Sequence, residues 1–422
     1  MSSSLTPSIS CSDNVCSIVA PTTNENMLIE EIPYRQSVDA EPKIRLVDSD
    51  PDNKLELFCY ETCDINDNEV VKSCRGVAFH GEDIVFKGFS FTPEYTPVND
   101  ADQIAQLVGN NVCSFHDSYE GTLVRIFSFQ NKWYISTNRK LDANKSKWAS
   151  RTSFGEFFRR ALEYEIIANA KFRDSLFQRG QENPTMMHLL DQFLDKLDTS
   201  KSYMFLLLTN PETRIVCQYA SPKILHVGTY SGGGESRLEF SGFLGLDSPK
   251  RHYFESIDDM YKYVSTTDFT LLQGLIAFYG ENNEHQFKIM NPKYVDLYNI
   301  RGNEASVKFR YLQLRNDPVK CDMLRGLYLD HCFEFDYYET CISNITDIIL
   351  EAYINRYIRK QYVVLPLEQF IVMSEVHKWY MTDVDNHKVR RDIVLQKINE
   401  QTPVSINRML KKYIIDTKKK VI

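Results

Sequence analysis

The chain switches hydrophobic period along its length, and that switch limits the folds open to it. Between Lys54 and Asn138 five strand-length segments, KLELFCYE, SCRGVAFHG, IVFKGFSF, GTLVRIFSF and KWYISTN, are rich in Val, Ile, Phe, Tyr and Thr and are punctuated by Gly, Asp or Asn. Where apolar and polar residues alternate, successive side chains face opposite sides of a sheet, one side covered and one not. IFSFQNKWYIST reads as a hairpin turning at Gln130-Asn131-Lys132. From Ser153 to about Leu197 the period becomes helical, with Ser153 and Glu156 at the spacing of a capping box. Strands resume in YMFLLLT, TRIVCQY, KILHVGTY, LIAFYG and HQFKIM, interrupted by the Gly-rich loop SGGGESR at Ser231 to Arg237. Beyond about residue 310, CISNITDIILEAYINRYIRKQY and LEQFIVMSEVHKWYM carry only the helical period. The expected organisation is a leader at 1–25, an α+β domain of catalytic type at 26–310 and an all-helical C-terminal domain at 311–422.

Composition narrows the class. With 43% hydrophobic and 25% charged residues the chain is of ordinary globular type, and its longest apolar runs, such as YMFLLL, fall far short of the ~20 residues that cross a bilayer. No membrane partner is expected. The Ser-, Thr- and Asn-rich start lacks the basic and apolar blocks of a secretory signal and reads as a disordered leader. Ten cysteines are scattered without disulfide-framework or zinc spacing, which points to reduced thiols in a cytoplasmic setting and to no metal site. The net charge of −8 is uneven: residues 351–422 hold 14 Lys+Arg against 8 Asp+Glu, or +6, leaving −14 for residues 1–350. HKVRR at His387 to Arg391 and RMLKKYIIDTKKK at Arg408 to Lys420 are equally open to phosphate contact and to a role as solvated helix faces. His377 and Trp379 read as helix-packing residues.

Four segments taken in order resemble the phage-type RNA ligase 1 family of covalent nucleotidyltransferases. They are CRGVAFHGEDIVFKGFSF, then SYEGTLVRIF with KWYISTNRKLDANKSKW, then YMFLLLTNPETRIVCQY, and finally LLQGLIAFYGENNEHQFKIMNPKYVDLY with its spaced Tyr294 and Leu297. Together they span about Cys74 to Tyr298. The resemblance implies a ligase-type nucleotidyltransferase domain of antiparallel sheets flanked by helices, followed by the helical domain. It also implies chemistry in which a lysine amine attacks the α-phosphate of ATP, with Mg²⁺, and the nucleotide passes to an RNA 5′-phosphate. Burial beside cations frees such an amine for attack, carboxylates hold ribose and metal, and further lysines offset charge building on the phosphate.

Placed on this sequence, the resemblance fails where the pattern specifies charge. Ser118 stands at the nucleophile's position, two residues before Glu120-Gly121, and a serine hydroxyl is a poor nucleophile without a base, for which His116 is the nearby candidate. Leu207 falls where the pattern has a glutamate, Gln273-Gly274 where it has Glu-Gly, and Met290 where it has the second lysine after Lys288. Each such loss costs on the order of 3 kcal/mol in transition-state stabilisation in other enzymes. Arg75, Lys87, Glu120, Gly121, Arg214 and Lys288 remain as nucleotide- or phosphate-binding candidates, and Pro211, Ile215 and Val216 also match.

The sequence therefore points to a pseudo-ligase that keeps a cleft for RNA ends or nucleotide, with no cofactor expected. A second reading is an active ATP- and Mg²⁺-dependent RNA ligase whose nucleophile has moved to Lys140, in Lys140-Leu141-Asp142-Ala143, or to Lys288. A third is a scaffold meeting protein partners through the helical domain. The resemblance also implies a viral setting, in host-cell cytoplasm or virion. SGGGESR lacks the strand and helix of a phosphate-binding loop and reads as a surface loop.

Overall fold

A computed structural model describes residues 9–12, 15–18, 32–177, 189–208, 213–231, 237–240 and 242–421. The chain separates into two compact units, Met1–Val295 and Asp296–Ile422, and the division falls inside the helix Pro292–Arg301. Residues 296–310, expected in the first domain, thus belong with the second unit, where Ile300 and the helix Val307–Leu314 join its apolar core. Of the expected leader, only 9–12 and 15–18 are described, as two antiparallel strands. Pro211 and positions 232–236 of SGGGESR lie outside the described residues.

The first unit contains three larger sheets. Ile44–Asp50, Leu55–Tyr60, Arg75–His80 and Asp83–Phe86 form an antiparallel sheet in chain order. The second sheet runs in space Lys132–Ser136, Gly121–Phe129, Lys201–Leu208, Lys223–Ser231, Leu238–Glu239, all antiparallel. In the third the order is Arg251–His252, Ser114–Ser118, Gly274–Tyr279, His285–Met290, Glu94–Tyr95, with only the last pair parallel. The Phe129 to Lys132 hairpin closes through Gln130 and Asn131, both at positive φ (50° and 60°), as a two-residue turn matched to strand twist requires.

Period two explains how the second sheet is covered. Val124, Ile126, Tyr203, Phe205 and Leu207 face the helix Phe154–Ala168, which buries Phe154, Phe157, Phe158, Ala161, Leu162 and Ile166 at helical spacing. That helix starts where Ser153 accepts the backbone N–H of Glu156, as its sequence spacing predicts. Phe127 and Met204 face the other way and pack against Leu55, Leu57, Ala78 and Phe86 of the N-terminal sheet, with Phe86 and Phe127 stacked 4.8 Å apart. Arg125 shares this second face. It is fully buried and donates to the carbonyls of Gly76 and Thr137, and burial pushes its guanidinium down to about 9.

Leu275, Ala277, Phe287 and Ile289 of the third sheet pack on two helices absent from the sequence-based outline, Ala101–Asn110 and Ile257–Thr266. TRIVCQY, expected as a strand, is irregular instead, because its amides are drawn to a side chain rather than to a neighbouring strand. In the second unit the helices Val307–Leu314, Pro318–Leu327, Cys332–Tyr353, Leu367–Thr382, Arg391–Asn399 and Pro403–Val421 enclose a core that includes Leu324, Phe335, Ile345, Val372, Val376, Val394 and Met409. Among the described residues no helix is long and apolar enough to cross a membrane.

Candidate functional site

Ser118 ends a strand of the third sheet and Gly121 begins a strand of the second, so Tyr119 and Glu120 carry the chain from one sheet to the other. Two glycines permit this junction. A Cβ on Gly121 would lie 2.6 Å from the Leu207 carbonyl oxygen, and one on Gly274 would lie 2.1 Å from that of Ile289, at φ +138°. Gly274 is paired with both Ser118 and Met290, so the three come together by register.

The polar side chains here form one closed network. Ser118 is 3% exposed and donates from Oγ to Gln273 Oε1 at 3.2 Å. The same oxygen accepts from Lys288 Nζ at 2.9 Å, and Lys288 also donates to Glu94 at 3.0 Å. Gln273 Nε2 donates to the Tyr294 hydroxyl at 2.8 Å, which in turn donates to Glu120 Oε2 at 3.1 Å. Glu120 is 4% exposed, and its carboxylate accepts the backbone N–H groups of Ile215, Val216 and Cys217 at 2.7, 2.8 and 3.1 Å. Three amides and a hydroxyl meet the demand of a buried carboxylate. Burial and this negative charge push the Tyr294 phenol and the Cys217 thiol far above their ordinary values.

The sequence candidates are thus distributed unequally. Ser118, Glu120, Gly121, Gln273, Lys288 and, by strand register, Met290 meet at the junction. Leu207 does not join them: its side chain lies in the apolar cluster under the helix Phe154–Ala168, because odd positions of its strand face that way. A glutamate there would be buried among Phe205 and Ile224. Arg214 is buried just before the Glu120 cradle. Lys87 lies 5.0 Å over the Tyr34 ring in the N-terminal part of the unit. Lys140 donates to the Val47 carbonyl and lies 3.6 Å from Asp48, both in the N-terminal sheet.

His116 is no base for Ser118. Its Nε2 lies 2.9 Å from Ser114 Oγ and its Nδ1 3.5 Å from the Pro249 carbonyl, and its ring packs 4.5 Å from Phe240. Burial holds this imidazole below its ordinary value. The folded state therefore resists the proton that the unfolded chain takes up near pH 6.5. Stability is accordingly full above that pH and falls as the pH drops below it, and His116→Phe should flatten that part of a urea-midpoint profile.

Beside the junction the sequence candidate Arg75 lies in a polar strip whose Thr92 and Gln286 sequence reasoning missed. Arg75 Nη1 lies 3.4 Å from both the Ser90 carbonyl and Thr92 Oγ1, and Gln286 Nε2 donates to the same carbonyl at 3.0 Å and to the same hydroxyl at 3.2 Å. Gln286 and Lys288 occupy alternate positions of one strand and so face the same side. That alternation was the available signal. On the reverse side of the sheet Asp117 accepts from His252 at 2.8 Å and Tyr263 at 2.6 Å, which ties the edge strand and a covering helix together. An open cavity of about 630 Å³, lined by residues that include Tyr164, Glu165, Lys171, Lys223 and Asp247, contains none of the candidates.

No family model matches the chain. It is similar to an immediate-early protein ICP-46 homolog of Invertebrate iridescent virus 6, at 27% identity over 384 residues that cover 85% of this chain and 81% of the relative. The homolog of the same name from Invertebrate iridescent virus 3 is 25% identical over 309 residues, 71% of this chain and 62% of the relative. The immediate-early protein ICP-46 of Frog virus 3 is 23% identical over 275 residues, 63% and 64%. The chain therefore spans less than two thirds of the length of these last two relatives. Among solved structures it is similar to a candidate ATP-dependent DNA ligase from Aquifex aeolicus, with a TM-score of 0.36, 12% identity and coverage of 82% and 87%.

Proposed function

We propose that the chain is a non-ligating member of the ligase-type nucleotidyltransferases, a pseudo-ligase acting in the host-cell cytoplasm, that binds a phosphate-bearing ligand without becoming adenylated. One observation carries this reading: the residue at the nucleophile's position is a buried serine whose hydroxyl is bonded to Gln273. Among the described residues the acceptor of its proton is the Gln273 amide oxygen, which is no base.

The residues present do not fit Mg²⁺ and ATP as adenylate donor. Glu120 directs its carboxylate to backbone amides, Leu207 and Gln273 are neutral, and Glu94 is paired with Lys288. The relocated-lysine alternative meets the same obstacle. Lys140 and Lys288 are each held by a carboxylate, Asp48 at 3.6 Å and Glu94 at 3.0 Å, and neither has, among the described residues, the neighbouring cations that would activate an amine nucleophile. What remains for a ligand is the strip of half-buried Arg75, Thr92 and Lys288 backed by buried Gln286, whose two cations suit a nucleotide phosphate or an RNA 5′-phosphate that takes the place of their present partners.

The test is a binding titration with matched short RNAs carrying a 5′-phosphate or a 5′-hydroxyl. The phosphorylated form should bind about tenfold more tightly, a difference of ~1.4 kcal/mol, and Arg75→Ala together with Lys288→Ala should abolish the difference. Equal binding of the two ends would contradict a phosphate-reading strip and leave the scaffold reading.

A further inference from the structure

The helical unit carries an aromatic stack at its surface beside cations that have no acidic partner among the described residues. Helix Cys332–Tyr353 continues into a π-helical turn, Ile354–Ile358, which widens the helix and sets Tyr357 against the helix Leu367–Thr382. Tyr357 and His377 stack at 3.7 Å and 16°, and His377 and Tyr380 continue nearly parallel at 6.2 Å and 21°. All three rings are half-buried, and Tyr362, just beyond the turn, is 90% exposed.

What sets this patch apart is that three cations without a carboxylate partner among the described residues lie within five positions of one another beside the stacked rings. Arg315, Arg325, Arg391, Lys397 and Lys412 each pair with an Asp or Glu. Arg356, Arg359 and Lys360 have no carboxylate partner among the described residues. Arg356 lies over the Tyr357 and Phe370 rings, and Arg359 donates to the Asn355 amide. Burial, then the charges of Lys360 and Arg356, hold the His377 imidazole below its ordinary value, so at neutral pH it stays an uncharged aromatic ring. In a chain of net charge −8, these neighbouring cations make a local positive patch that can meet an anion.

We propose that the Tyr357–His377–Tyr380 stack, with Tyr362 and the flanking Arg356, Arg359 and Lys360, is a binding platform for single-stranded nucleic acid. Planar rings accept bases of any identity, and the unpaired cations follow the phosphates. The site lies wholly in the second unit and does not depend on the phosphate-reading strip of the first.

Fluorescence anisotropy with the full chain and a labelled 5′-hydroxyl oligouridylate of about 12 nucleotides tests this. The absent 5′-phosphate separates the result from the end-binding test. Tyr362→Ala and Tyr380→Ala should each weaken binding about tenfold with little change in its salt slope. Arg359→Gln with Lys360→Gln should weaken binding and flatten the log–log salt slope by about 1.4, at roughly 0.7 for each phosphate that is no longer neutralised. Tyr362, Arg359 and Lys360 are exposed, so their variants should keep the wild-type melting curve. Absence of binding, equal binding of the matching duplex, or wild-type affinity in every variant would overturn the proposal. Equal, variant-sensitive binding of polyglutamate would also overturn it and assign the patch to an acidic protein.

Discussion

Gly274→Ala is expected to lower the unfolding free energy by roughly 3–5 kcal/mol, enough to leave much of the protein unfolded at physiological temperature. Two costs combine. A side chain at φ +138° occupies a backbone region that only glycine adopts readily, and the new Cβ would lie 2.1 Å from the Ile289 carbonyl, a ladder atom that cannot retreat without breaking the strand pair Gly274–Tyr279 with His285–Met290. The urea midpoint followed by circular dichroism measures this. A loss below about 1 kcal/mol would mean that the junction between the two sheets can move, and that its closed network is not fixed by the backbone.

Glu120→Ala should be nearly as damaging, at about 3–5 kcal/mol, because it strands three amides and the Tyr294 hydroxyl out of reach of water. Glu120→Gln, which keeps one acceptor oxygen but turns an N–H₂ group toward N–H donors, should cost about half as much. The comparison separates two roles. A glutamate kept to hold ribose or metal would be lost with little effect on the urea midpoint, whereas a glutamate that organises 215–217 cannot be removed quietly.

The sheet architecture was largely legible in the sequence because period two and turn residues are local properties. The hairpin at Gln130-Asn131 and the Ser153 cap are read from neighbours within a few positions, and the glycines at 121 and 274 mark close backbone approaches. TRIVCQY misled because its alternation is that of a strand, while the partner that claims its amides, Glu120, lies 95 residues away from Ile215. Leu207 was matched by position within a motif, yet the parity of its strand turns it toward the helix Phe154–Ala168. Arg125 gave no sign of being fully buried, since a charged residue in an alternating strand reads as solvent-facing. The edge near residue 310 was placed late because 296–310 lacks a strong helical period, and its membership is settled by the packing of Ile300 and Tyr311 with helices far along the chain.

The proposed inactivity of the junction rests on Ser118 being a buried, bonded serine where the pattern calls for a free amine. Incubating the pure protein with α-³²P-ATP and Mg²⁺, followed by a denaturing gel, addresses it most directly. The account predicts no labelled band at the mass of the chain at any pH at which the protein stays folded. A band that survives denaturation, and that Lys288→Ala or Lys140→Ala removes, would show a lysyl-adenylate and contradict it.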